Sequence, residues 1–271
     1  MPGRSETFTT PSLAGVRLHA LLWGDPAQPP LVLLHGGGSN AHWWDHLAPA
    51  LAEDFHVVAL DFRGHGDSDY PEEIRLGAFG DDLNALLEHL EASGAVLLGH
   101  SMGAHIALER AARIPGTQAL VLLDLAWGVP RAVRRSARRA LSFRVTHRSR
   151  ERAVERFRFL PSATRADEGL RRSIAEQSVR EEPDGRFGFK FDPRWFALPY
   201  RKLPPVAGVA CPTLLVRGAE SPFLSREAAE SLAAELPRAR LMELEDAGHH
   251  VHVDQPAAVL AAVQAFLHPT L

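Results

Sequence analysis

Cysteine is nearly absent: Cys211 is the single one in 271 residues. A lone thiol excludes an internal disulfide framework and fits a reducing compartment. No apolar run approaches the length that spans a bilayer. Met1 to Gly15 is polar and broken by prolines, not basic and then apolar as a secretory leader would be. A cytoplasmic setting without a membrane partner is therefore expected. Strong net charge is also missing, at −3 overall, and a composition 45% apolar and 23% charged is that of an ordinary soluble globular protein. The length suits one large α/β domain, or a core with an insertion.

That small net charge hides an uneven spread. From Arg131 to Arg172 there are fourteen arginines against four acids, a net +10, so the rest of the chain carries −13. Such asymmetry marks either an anionic partner or substrate, or a helical face that is simply solvated. No aromatic interleaving and no nucleic-acid motif accompanies the arginines, so no nucleic-acid partner is expected.

What is present centres on Val96 to Ala104. A short apolar run ends in Gly99-His100-Ser101-Met102-Gly103, and a helix-forming segment runs on to Ile114. A strand, a tight turn and a helix place a serine at the apex. Glycines two residues to either side let the two backbones pass closely, and the turn turns the hydroxyl outward beside the helix's first N–H groups.

Along the chain, Glu6–Thr10 and Val16–Trp23 alternate apolar with polar residues, as an antiparallel pair at a sheet edge does. Leu31–Leu34, Phe55–Leu60, Ala119–Asp124, Pro212–Arg217 and Arg240–Leu244 read as strands, most of them buried on both faces. Helices are expected at Trp43–Ala52, through Leu83, Leu86, Leu87 and Leu90, at Ser225–Leu236, and through Val259, Leu260, Val263 and Phe266. The alternation implies an α/β fold with a mostly parallel central sheet covered by helices on both faces. Residues 127–205 break the rhythm and read as a mainly helical cap, leaving 1–126 and 206–271 as the core. The cap's aromatics, Phe187, Phe189, Phe191, Trp195 and Phe196, either line a pocket or seal the cap onto the core.

Four motifs together carry a resemblance over nearly the whole chain: His35-Gly36-Gly37-Gly38, the turn from Asp61 to Ser68, Gly99-His100-Ser101-Met102-Gly103, and Ala247-Gly248-His249. The sequence resembles the α/β-hydrolase-fold superfamily, of the capped bacterial serine hydrolase type. The resemblance implies Ser101 as nucleophile and His249 as its base, with the backbone N–H groups of Gly37 and Met102 as an oxyanion hole. His35 and His100 are read as packing residues. A metal cluster of His249, His250 and His252 is disfavoured, because no acidic or thiol ligand completes it. Neither metal nor cofactor is expected.

The acid departs from the family's pattern. After Gly218 the usual aspartate positions hold Ser221 and Pro222, with Glu220 one residue early. Asp124, at the end of the preceding strand, is the other candidate and is favoured over Glu220. The implied activity is cleavage of an ester, thioester or lactone through an acyl-enzyme, on a small-molecule acyl substrate that the basic cap would favour in anionic form. The alternatives are a carbon–carbon bond hydrolase or lyase on the same fold, and a non-catalytic receptor. Oligomeric state leaves no mark in the sequence.

Overall fold

The computed structural model describes residues 3–92, 94–198 and 205–268. Its strands are β1 (Arg4–Phe8), β2 (Leu18–Trp23), β3 (Pro30–Leu34), β4 (His56–Asp61), β5 (Val96–His100), β6 (Ala119–Leu123), β7 (Thr146–His147), β8 (Val179–Glu181), β9 (Phe187–Phe189), β10 (Thr213–Gly218) and β11 (Ala239–Leu244). Eight of them form one sheet in the order β1-β2-β4-β3-β5-β6-β10-β11. β1 and β2 join antiparallel at one edge, with Arg4 opposite Leu22, and every pairing from β4 to β11 is parallel.

The continuous apolar runs explain the layers. Successive side chains of a strand point to opposite faces, so a strand without polar alternation needs cover on both. Val32, Leu34, Val58, Leu60, Leu97, Leu120 and Leu122 join one core cluster; Leu31, Leu33, Val57, Ala59, Val96, Leu98, Val121 and Leu123 join the other. The helices of the described residues are α1 (Ala48–Leu51), α2 (Ala78–His89), α3 (Met102–Arg113), α4 (Arg131–Leu141), α5 (Arg150–Arg156), α6 (Glu168–Gln177), α7 (Arg226–Glu235), α8 (Val251–Asp254) and α9 (Pro256–Leu267). The first cluster packs under α2, α3 and α7, the second under α1 and α9. Each buried leucine or valine is worth about 1.5–3 kcal/mol relative to exposure, which fixes the register of these strands.

Two elements differ from the sequence expectation. Trp43–Ala52 is not one helix: a 3₁₀ turn spans Ala41–Trp44 and α1 starts only at Ala48. Pro49 lacks an N–H and disfavours helical backbone in the residue before it, so a helix can begin there but not run through. The stretch between β6 and β10 holds α4, α5 and α6, but also a three-stranded sheet in the order β7-β9-β8. Phe187–Phe189 is its central strand, paired antiparallel on both sides. The aromatics there divide their roles. Phe157 and Phe159 pack on Trp43 of the core, while Trp195 and Phe196 line the cavity over the sheet. Among the described residues, no helix is long and apolar enough to cross a membrane.

Candidate active site

The parallel strands end on one side of the sheet, and their terminal loops meet there. β3 leads into the glycine loop, β5 into Ser101, β6 into Asp124 and β10 into Gly218–Ser221. Ser101 sits at φ 51° and ψ −109°, a conformation that side chains rarely adopt. The strain is held from both sides. A Cβ on Gly99 would lie 2.4 Å from the Ala104 nitrogen, and one on Gly103 would lie 2.2 Å from the Leu34 carbonyl oxygen. The Ser101 N–H donates to the Leu123 carbonyl at 3.0 Å, so β5 and β6 stay joined up to the turn.

Around that apex runs a continuous hydrogen-bond chain. The Ser101 hydroxyl is 2.9 Å from His249 Nε2, and His249 Nδ1 is 2.6 Å from Asp124 Oδ2. Because Nδ1 faces a carboxylate, it carries the proton; Nε2 is then bare and accepts from the serine. Asp124 is fully buried, and its other oxygen accepts from the Gly218 N–H at 3.0 Å. Glu220 lies elsewhere: its carboxylate is about half exposed and pairs with Arg165 of the inserted segment. The structure thus brings Ser101, His249 and Asp124 together and leaves Glu220 outside.

Met102 is the first residue of α3, so its N–H is among the first-turn donors that have no acceptor within the helix. Met102 and Gly37 both line the cavity that holds Ser101 and His249, whose volume is about 710 Å³. Its walls are mostly apolar, with Leu76, Phe79, Ile106, Trp127, Leu141 and Phe223 prominent.

The neighbouring histidines are packing groups. His35 donates from Nδ1 to the Gly36 carbonyl at 2.7 Å and accepts the Phe62 N–H at Nε2, so burial holds it neutral with its pKa lowered. His100, His250 and His252 are buried against one another and against Trp43 and Trp44, and burial keeps all three well below the ordinary histidine range. His19, Asp61 and Asp67 are close enough to share a cation, but Lys190 sets its ammonium 2.8 Å from Asp67, and Asp61 already accepts from His19, Ala41 and Asp67. Burial alone would raise the Asp61 pKa, and the His19 hydrogen bond with the other donors outweighs it and holds it low.

Three supports had no local signal in the sequence. Ser221, standing where the family usually has its acid, donates its hydroxyl to Asp124 Oδ2. His100 donates from Nε2 to the His249 carbonyl at 2.8 Å. Asp254 accepts the Gly248 N–H at 2.8 Å on one oxygen, and Thr164 Oγ1 and the Arg165 N–H on the other. It thereby ties the histidine loop to the inserted segment.

The model of the alpha/beta hydrolase family matches residues 31–263. The chain belongs to the alpha/beta hydrolase family. Relatives in that family include an esterase of Mycobacterium tuberculosis, 30% identical over 92% of this chain and 86% of its own length. An esterase of Escherichia coli is 27% identical over 88% of this chain and 92% of its own. The alpha/beta hydrolase architecture is shared with the crystal structure of E-2-(acetamidomethylene)succinate hydrolase at a TM-score of 0.84, with 23% identity over 98% of this chain and 99% of the other. Family and relatives together make this chain a hydrolase.

Proposed function

We propose that this hydrolase is a serine esterase that cleaves carboxylic esters, and chemically equivalent thioesters and lactones, through an acyl-enzyme. One observation carries the reading: the unbroken chain from Asp124 through His249 to a serine held at a strained apex, at the floor of a largely apolar cavity. Ser101 Oγ attacks the ester carbonyl while His249 Nε2 takes its proton, and Asp124 stabilises the imidazolium that results. The carbonyl oxygen gains negative charge facing the Gly37 and Met102 N–H groups. The tetrahedral centre collapses, His249 gives its proton to the departing alcohol, and Ser101 keeps the acyl group. Water, deprotonated by the same nitrogen, then releases the acid and restores the serine.

The cavity favours an uncharged, apolar acyl group. Of the three arginines on its walls, Arg138 donates to the carbonyls of Phe196 and Ala197, Arg134 donates to the Val129 carbonyl, and Arg75 pairs with Asp81. The esterase names of two relatives support ester cleavage. The test is turnover of p-nitrophenyl esters with short apolar acyl groups, against matched esters ending in a carboxylate. Neutral esters are expected to be the better substrates, and Ser101→Ala should lose several orders of magnitude in kcat. Undiminished turnover in Ser101→Ala would remove the serine mechanism, and binding without turnover in the wild-type protein would leave a receptor instead.

A further inference from the structure

We infer that the outward face of α4, with the segment that follows it, docks onto an anionic lipid surface. Arg131, Arg135 and Arg139 recur every four residues, so on a helix they form one stripe. All three are exposed, and none forms an ion pair among the described residues. The flank of the same helix beside that stripe, with Arg134, Ala137, Arg138 and Leu141, lines the cavity above Ser101. α4 is therefore a wall whose one flank faces the apolar site and whose neighbouring exposed flank carries a cationic stripe.

The stripe runs against what a helix wants locally. Like charges four residues apart repel, and a cation in the first turn opposes the helix dipole. The helix has five arginines and no acid: Arg138 and Arg139 in the last turn suit the dipole, but no acid within the helix answers Arg131 and Arg135. Local rules broken without a local gain mark a surface shaped for a partner. Negative charge outside the chain supplies the missing gain.

The adjoining residues say which negative surface. Directly after α4, Phe143 is 61% exposed and Val145 is 49% exposed, beside the exposed Arg148. Leu76, on the cavity wall, is 47% exposed. A bilayer with anionic headgroups satisfies both kinds of group: guanidiniums at the phosphates, and an aromatic ring and aliphatic side chains at the acyl boundary. A nucleic acid gives the arginines a partner but leaves Val145 and Leu76 with none.

The experiment is flotation of the full chain with vesicles of phosphatidylcholine alone and with equal parts phosphatidylcholine and phosphatidylglycerol. Binding is expected only to the anionic vesicles and should fade as salt rises. The triple variant Arg131→Gln, Arg135→Gln, Arg139→Gln should bind about a hundredfold more weakly, and Phe143→Ser about tenfold. None of the four residues lines the cavity, so both variants should keep wild-type melting and wild-type turnover of a soluble short-chain ester. Equal binding to both vesicles, binding to neither, undiminished binding by the triple variant, or a preference for duplex nucleic acid over anionic vesicles overturns the proposal. Flotation involves no turnover, so an inert Ser101→Ala protein should bind as the wild type does, and the docking surface stands or falls apart from the esterase reading.

Discussion

Replacing Asp124 by asparagine should stop chemistry while sparing binding, because the fully buried carboxylate serves three donors at once. Its Oδ1 accepts the Gly218 N–H at 3.0 Å, and its Oδ2 accepts His249 Nδ1–H at 2.6 Å together with the Ser221 hydroxyl. An amide keeps only one acceptor oxygen. Turned towards Gly218, that oxygen leaves an NH₂ facing His249, which must then move its own proton to Nε2. A protonated Nε2 cannot accept the proton of Ser101, and a wrong tautomer of this kind costs about 10⁴ in kcat, or about 5.5 kcal/mol of barrier. Turned the other way, the NH₂ abuts the Gly218 N–H, at about 1–3 kcal/mol of stability. KM should move little, since ground-state binding uses neither group. The control is Glu220→Gln, whose exposed pairing with Arg165 is worth about 0–1 kcal/mol and whose kcat should stay near wild type. Steady-state kinetics on a p-nitrophenyl ester, with thermal melts to establish folding, decide the matter. A folded Asp124→Asn protein that keeps its kcat, or a Glu220→Gln protein that loses it, would refute the assignment.

Ser221→Ala removes one donor to Asp124 and should lower kcat about tenfold with little change in KM, read in the same assay. The buried histidines set an acid limit. Burial depresses the pKa of His100, His250 and His252 well below the ordinary value of 6.5 and lowers that of His65 to about 3, so below about pH 6.5 the unfolded chain takes up protons that the native chain refuses. Stability is therefore present above that pH and is lost as pH falls towards the native-state values, by up to about 1.4 kcal/mol per pH unit for each histidine. Denaturant melts from neutral to mildly acid pH should show this fall, and a flat profile would contradict it. Gly103→Ala, whose Cβ would meet the Leu34 carbonyl oxygen at 2.2 Å, should melt well below wild type or fail to accumulate folded.

The parallel strands were legible because Leu31–Leu34, Ala119–Leu123 and their like are apolar without interruption, and only a sheet covered on both faces buries such runs. Ser101 was legible because the glycines at 99 and 103 have no other use at that spacing. The break before α1 turned on Pro49, whose effect on the preceding residue was outweighed in the sequence by the apolar pattern around it. Phe187–Phe189 was too short to announce itself as a strand, and its partners Thr146–His147 and Val179–Glu181 lie apart in the chain. Ser221 and Asp254 left no trace, since each is an ordinary polar residue until folding brings it to a partner some 90 or more residues away, Ser221 to Asp124 and Asp254 to Thr164. The choice between Asp124 and Glu220 has the same origin: both are carboxylates in loops, and only burial distinguishes them.

Acylation of Ser101 is the central claim, and it is open to direct capture. The enzyme is mixed with a chromogenic ester, quenched in acid during the first turnover, digested and read by mass spectrometry. The expected result is the acyl group of the substrate on the peptide that contains Ser101, with a burst of released alcohol of about one per chain and no adduct in Ser101→Ala. Turnover with an acyl group on another residue, or turnover by Ser101→Ala at the wild-type rate, would contradict it.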